Sequence, residues 1–146
     1  MNRWKDLLNA AVSGQGSPPP CIVTLKIPGV DGWQQGRVWR QWQVDPAVFH
    51  ERGAVFGGYL AALADSTLGL AVMTVLEDGE VFTTSDLRVS FFRPATGGIL
   101  RIEGRVVHRG RSMAHVEVDF SREDGKLVAK ATATQVITAR PPDAAS

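Results

Sequence analysis

Apolar residues recur along this chain with two periods, and the change from one to the other divides it. In residues 3–12 (RWKDLLNAAV), Trp4, Leu7, Leu8 and Ala11 fall at i, i+3, i+4 and i+7, the spacing of one helix face. That predicts a short amphipathic helix docked on the body of the protein or on a partner subunit. Ser13-Gly14 ends it, and Ser17-Pro18-Pro19-Pro20 makes a stiff connector. Cys21 to Ile27 alternates weakly and is expected to be an edge strand, closed by Pro28-Gly29. From Arg37 to Val44, alternation puts Val38, Arg40, Trp42 and Val44 on one strand face and Trp39 on the other.

Alternation then gives way to a run apolar nearly all round. Gly57 to Leu76 (GGYLAALADSTLGLAVMTVL) is interrupted only at Asp65-Ser66-Thr67. A membrane span of that length would not carry a mid-run carboxylate and would have basic and aromatic anchors at its flanks. A buried strand would be shorter. The segment is expected to be a long helix in the core. After Glu77-Asp78-Gly79 the period returns to two in Val81–Phe92, Ile99–His108, Ser112–Ser121 and Leu127–Thr138. Short connections, among them the tight-turn dipeptide Asp124-Gly125, predict antiparallel neighbours. The pattern is that of an α+β domain: a long central helix wrapped by a five- or six-stranded antiparallel sheet. Residues 1–20 form an N-terminal extension, 21–139 the domain, and Arg140 to Ser146 a tail expected to fray.

With 146 residues, the chain has the size of one domain. Sixteen basic against fifteen acidic residues leave a formal charge of +1. Nothing in that balance favours nucleic acid or an anionic membrane surface as a partner. A single cysteine, Cys21, cannot close an intrachain disulfide, and the first twenty residues carry charges and prolines in place of an apolar leader core. A cytoplasmic protein is expected. His50, His108 and His115 with one cysteine lack metal-ligand spacing, so no metal and no cofactor are expected.

Two features could carry chemistry. Asp65, with apolar residues on nearly every side in the chain, is expected to be buried, and a buried carboxylate needs a partner or a purpose. Ser66, Thr67 or a backbone group could be that partner. Just before the helix lies Gly53-Ala54-Val55-Phe56-Gly57-Gly58. Glycines at a helix start leave N–H groups uncovered at the positive end of the dipole, where an anion or a polarised carbonyl oxygen can sit. Close packing at a loop entry is the commoner meaning of such a pair. Gly57 and Asp65 are eight residues apart, roughly 12 Å of helix. One chain's Asp65 is too far from its own Gly57, which points to a site shared between two subunits.

The frame FGGYLAALADSTLGLA, followed by VSFFRPA, VVHRGRSMAHVEVDF and DGKLVAKATATQVI, resembles the hotdog-fold acyl-CoA thioesterases of the phenylacetate-degradation (PaaI-like) type. The resemblance runs from about Val44 to Ile137. In that family a His-Gly-Gly opens the central helix and an Asp follows nine residues after the His; here Phe56-Gly57-Gly58 opens it and Asp65 holds that spacing. The resemblance implies that the Gly57 N–H polarises a thioester carbonyl while Asp65 of a facing subunit is nucleophile or general base. Thr84 falls where a Ser or Thr helps orient the attacking water. Phe56 takes the place of the family's His, and His50 that of an Asn six residues before it. Phe56 cannot donate a hydrogen bond but can pack against an acyl or aryl chain, with Gly58 beside it.

At the turn Arg109-Gly110-Arg111-Ser112, and at Arg93-Pro94, guanidinium groups suit the phosphates of coenzyme A. A solvated turn is the plainer meaning of the same residues. The resemblance implies an acyl-CoA substrate, a homodimer with shared active sites and a homotetramer built from two dimers. A non-catalytic acyl-CoA or aryl-ligand binding protein is the alternative. A hotdog enoyl-thioester hydratase or dehydratase ranks below it, because such enzymes need the helix-leading His. A purely structural hotdog subunit would leave Asp65 without a role.

Overall fold

The structure, a computed structural model, describes residues 2–142. Helix α1 spans Arg3–Ser13, its first turn capped by the Asn2 side chain, which accepts from the N–H groups of Trp4 and Lys5. It docks on its own chain. Trp4 Nε1 donates to the carbonyl of Glu80 at 3.0 Å, and Asn2 Nδ2 to that of Leu76 at 2.8 Å. Of the predicted face, Trp4 and Leu8 are buried, whereas Leu7 points outward. The expected edge strand at Cys21 to Ile27 is instead a short helix, α2 (Pro20–Thr24), with Pro20 at its first position. Proline there has its φ preset for a helical turn and gives up an N–H that has no acceptor anyway.

Strands β1 (Gly32–Gln34), which the alternation did not reveal, and β2 (Arg37–Gln43) form a hairpin. Helix α3 spans Gly57–Met73, ending three residues before the predicted limit. Four strands follow: β3 (Glu80–Phe91), β4 (Ile99–Arg109), β5 (Met113–Arg122) and β6 (Leu127–Ala139). They join one six-stranded antiparallel sheet in the order β1-β2-β4-β5-β6-β3. The expected pairing of β3 with β4 does not occur. The connection through residues 92–98 carries the chain to the far side of the sheet, and β3 pairs with β6, Glu80 opposite Ala139. One flank of β3 is therefore a sheet edge. Arg140, the first residue of the tail expected to fray, is held in place, since its N–H donates to the Gly79 carbonyl at 2.8 Å. Residues 143–146 lie outside the described residues.

The sheet curls around α3, burying Tyr59, Leu60, Leu63, Ala64, Thr67, Leu68, Ala71 and Val72. This is the hotdog arrangement. A close approach of the two layers is at Gly104 of β4. A Cβ there would lie 3.0 Å from Thr67 Cγ2 and 3.1 Å from Val38 Cγ1. Arg40, only 4% exposed, reaches across the same region. Its guanidinium donates to the hydroxyls of Ser66 (3.1 Å) and Thr67 (3.2 Å) on α3 and to the carbonyl of Pro28 (2.9 Å). Burial lowers its pKa to about 10, with the nearby Asp31 charge acting the other way, so the group stays protonated at neutral pH.

Replacing Gly104 by Val forces α3 off the sheet. Gly104→Val is expected to lower unfolding free energy by about 1–3 kcal/mol. Gly79→Ala, where nothing lies within 4 Å of the added carbon, should change it little. Equal denaturation midpoints for the two variants would refute the close seat of the helix.

Candidate active site

One stripe of α3 is left uncovered by the sheet. Gly58, Ala62, Asp65 and Gly69, spaced to share a face, are exposed or half-buried while the opposite face is buried. The expectation that Asp65 is buried is thus corrected for the single chain. Most of the helix around it is apolar, but the sheet covers the other side of the helix. At the N-terminal end of this stripe Phe56 supplies no side-chain cap. The N–H groups of Gly57 and Gly58, in the first turn, have no intrahelical acceptor.

The loop leading to that turn is held from several sides. Phe56 N–H donates to the Val48 carbonyl and Val55 N–H to that of Ala95, both at 2.9 Å, and Phe49 bridges to Val55. His50 sits in the turn between them, which closes through Gly53 at φ 78°. The His50 Nδ1 accepts from the Arg52 N–H at 3.0 Å, so the imidazole braces the turn. The Phe56 ring, 58% exposed, folds over Gly58, whose absent Cβ would lie 2.4 Å from it. The Phe91 ring from the end of β3 lies over Gly57 at 3.1 Å from the equivalent position. Beside them opens an apolar groove of about 350 Å³, walled by Leu25, Val48, Phe49, Phe56, Tyr59 and Ala62. The Tyr59 hydroxyl lies 2.9 Å from the Leu25 carbonyl and 3.2 Å from that of Lys26 and so ties the segment after α2 to α3. Burial, helped by the charge of Asp45, pushes this phenol above its ordinary pKa.

At the middle of the stripe the structure brings Asp65 and Thr84 together. The Thr84 hydroxyl lies 3.3 Å from Asp65 Oδ1. It also lies 3.0 Å from Gln135 Oε1, the amide of a side chain with no exposed surface. Sequence reasoning missed Gln135, although a glutamine on the inward face of the alternating strand Ala129, Ala131, Ala133, Gln135, Ile137 was a signal. It missed Tyr59 as well, whose partners lie at residues 25 and 26.

The arginines divide. Arg109, expected to face a phosphate, is drawn inward. It pairs with Glu80, and its remaining N–H groups donate to the carbonyls of Val75, Gly110 and Arg111. A fork so occupied fixes the turn and has little left for a ligand. Gly110 N–H closes the same turn on the Met113 carbonyl at 2.8 Å. Arg111 is exposed at its tip. Arg93, also exposed, donates to the Leu127 carbonyl at 2.8 Å. Among the described residues no group of three His, Cys, Asp or Glu side chains could hold a metal ion, and no helix is long and apolar enough to cross a membrane.

The family model of the thioesterase superfamily matches residues 52–129. The proofreading thioesterase EntH of Klebsiella pneumoniae is 28% identical over 123 residues, covering 84% of this chain and 89% of that protein. Other curated relatives, named as esterases, are matched over 48% to 61% of their own length. Among solved structures, a phenylacetic acid degradation-related protein from Ralstonia eutropha is 33% identical with a TM-score of 0.77, over 88% of this chain and 98% of that one. The Streptococcus mutans protein smu.793, solved bound to acetyl CoA, is 28% identical with a TM-score of 0.70, over 76% and 88%.

The pair beneath the Arg109 turn is open to test by pH. Burial raises the Glu80 carboxyl, but the Arg109 hydrogen bond, the Glu77 N–H and the guanidinium charge outweigh it and hold the group below its ordinary range. A carboxyl lowered in the folded state stabilises above its unfolded pKa and ceases to do so as pH falls through its folded one. Glu80→Gln should therefore cost about 1 kcal/mol at pH ~7 and less at pH ~3, below the ordinary glutamate range. A loss that is the same at both, measured by denaturant unfolding, would mean the carboxylate's charge is irrelevant.

Proposed function

The chain belongs to the thioesterase superfamily, and on that premise we propose that it hydrolyses an acyl- or aryl-CoA thioester to the free acid and coenzyme A. The carrying observation is the pair of features on one open stripe of α3: an uncapped glycine turn at one end and the Asp65–Thr84 pair roughly 12 Å along it. An amide that can polarise a carbonyl and a carboxylate that can activate water are both present, yet too far apart within one chain to meet on the same carbonyl.

A second copy supplies the missing half. The free flank of β3, twelve residues long, has backbone groups to offer, and an edge of that length is ordinarily covered. Antiparallel pairing of two such edges makes a homodimer in which Asp65 of one chain faces Gly57 of the other; two dimers would make the tetramer. The thioester oxygen accepts from the Gly57 N–H, where the helix dipole favours the negative charge that develops on it. Asp65 of the facing chain acts as nucleophile or general base. In the general-base course it takes a proton from water as the water oxygen bonds to the carbonyl carbon. The C–S bond then breaks, the sulfur receives the proton, and acid and coenzyme A leave.

Phe56 belongs to the acyl side in this reading. Its ring borders the apolar groove, which suits an acyl or aryl chain better than a charged group. The carrier is coenzyme A by analogy with the acetyl-CoA-bound neighbour, with Arg111 and Arg93 the candidates for its phosphates and Arg109 holding the turn that carries Arg111. A ligand-binding protein without turnover is the second reading, favoured by one observation: Phe56 leaves the helix start without a side-chain hydrogen bond.

Free thiol released from short, medium, long and aromatic acyl-CoA thioesters separates these readings. Asp65→Asn is expected to reduce release at least about 100-fold. A folded wild-type protein that binds but releases nothing would be the ligand-binding protein. Mixing Asp65→Asn chains with Gly57→Pro chains should restore part of the activity, because proline fits the first helical position and removes the N–H, with the exposed Phe91 ring giving way by a few tenths of an ångström. Verified mixed dimers without activity would rule out sites shared across the interface.

A further inference from the structure

The Thr84 hydroxyl has one proton and two oxygen atoms facing it, Asp65 Oδ1 at 3.3 Å and the Gln135 amide oxygen at 3.0 Å. It cannot serve both fully. On the other side of the same amide, Gln135 Nε2 is buried and has no hydrogen-bond acceptor among the described residues. A buried N–H pair without a partner is the costlier of the two ways an amide can be left incomplete, since a carbonyl oxygen tolerates a missing donor better. Turning the amide end for end relieves the crowding of acceptors at the hydroxyl and gives Nε2 an acceptor, leaving the better-tolerated carbonyl oxygen on the unpartnered side. Nε2 then occupies the 3.0 Å position and donates to Thr84 Oγ1, and the single hydroxyl proton is released toward Asp65.

We infer that Gln135 is a positioning residue of the proposed site: its buried amide donates to Thr84 and so commits the Thr84 hydroxyl as a donor to Asp65. The inference rests on the thioesterase reading only for its consequence, since the hydrogen-bond chain exists whatever reaction follows. Its backbone frame is well suited to the task. Thr84 and Gln135 are directly opposed in the β3–β6 ladder, and Gln135 is opposed to Ala114 of β5 on its other side. The amide is thus anchored in an interior strand while Thr84 belongs to the edge strand. Immediately after Thr84 the register breaks, with Ser85 left over between Thr84 and Asp86. A bulge next to the pair re-aims the strand, and the amide contact keeps the hydroxyl on the helix side of that irregularity. Held in this way, Oδ1 of Asp65 is occupied by Thr84, and the other carboxylate oxygen remains for water or a carbonyl carbon.

Nitrogen–proton correlation spectra test the chain without reference to turnover. The Gln135 side-chain amide is assigned by its loss in Gln135→Leu. In Thr84→Val one of its two protons is expected to move upfield as it loses its acceptor, and in Thr84→Ser it should stay in place. Protons unmoved in Thr84→Val would overturn the inference. Thioester release supplies the second readout. Gln135→Leu, or Gln135→Met if the first variant folds poorly, should lower kcat about tenfold with KM within about twofold. Combined with Thr84→Val, it should add no further loss, because it acts through the missing hydroxyl. Losses that multiply would assign Gln135 a role independent of Thr84 and reject the inference. A wild-type protein with no hydrolysis would sink the thioesterase reading alone, and the amide shift would still decide this one.

Discussion

A helix that is apolar nearly all round has to be held against a sheet that covers only part of it, and one close contact between the two sets how the helix lies. At Gly104 the absence of a side chain lets α3 descend until Thr67 and Ala71 meet the strand. Arg40 then ties the two layers from inside, through Ser66 and Thr67 on the helix and Pro28 in the loop before β1. Because Thr67 takes part in both contacts, the rotation of the helix about its axis is determined as well as its height. Asp65, two residues earlier, is turned outward by the same rotation that turns Thr67 inward.

That rotation explains how one element can be both core and site. The buried stripe supplies hydrophobic stabilisation, while the open stripe carries glycines, alanine and a carboxylate whose neighbours are polar or solvent. The N-terminal turn is positioned by the loop hydrogen bonds from Phe56 and Val55, not by a side-chain cap. Its amides therefore stay available, with the two phenylalanine rings lying over the Gly57 and Gly58 backbone. Preorganised donors beside apolar rings interact more strongly with a carbonyl oxygen the more a bound ligand excludes water from them.

Much of this was legible in the order of residues. The change of period marked α3 and the four strands after it, and the frame around Gly57 and Asp65 identified the family and the order of its elements. Alternation put Arg40 on the same strand face as Val38 and Trp42, yet its task was hidden, because its partners lie 11, 12, 26 and 27 residues away. The exposure of Asp65 was misjudged for a related reason: chain neighbours report local polarity but not which side of a helix a sheet will reach. Pro20 overrode a weak alternation at Cys21 to Ile27, a local effect stronger than the pattern. The partnership of β3 with β6 escaped because short loops suggest adjacency, and residues 92–98 are just long enough to cross the sheet. Gln135 is legible in hindsight from its inward register, but its meaning depends on a threonine 51 residues distant.

The same strand order has a bearing on how the chain is made. Synthesis runs from α3 to β6, so the most apolar segment leaves the ribosome before any of the four strands that enclose it. Strand β3 follows at once but has no partner until residues 127–139 exist. The pairings that finish the sheet join its two most distant late segments, a high contact order that favours slow closure. Through that interval α3 and a bare strand edge are exposed together, the combination that invites association with other nascent chains. Folding yield should therefore be governed by the last thirteen-residue strand rather than by the helix that dominates the finished core.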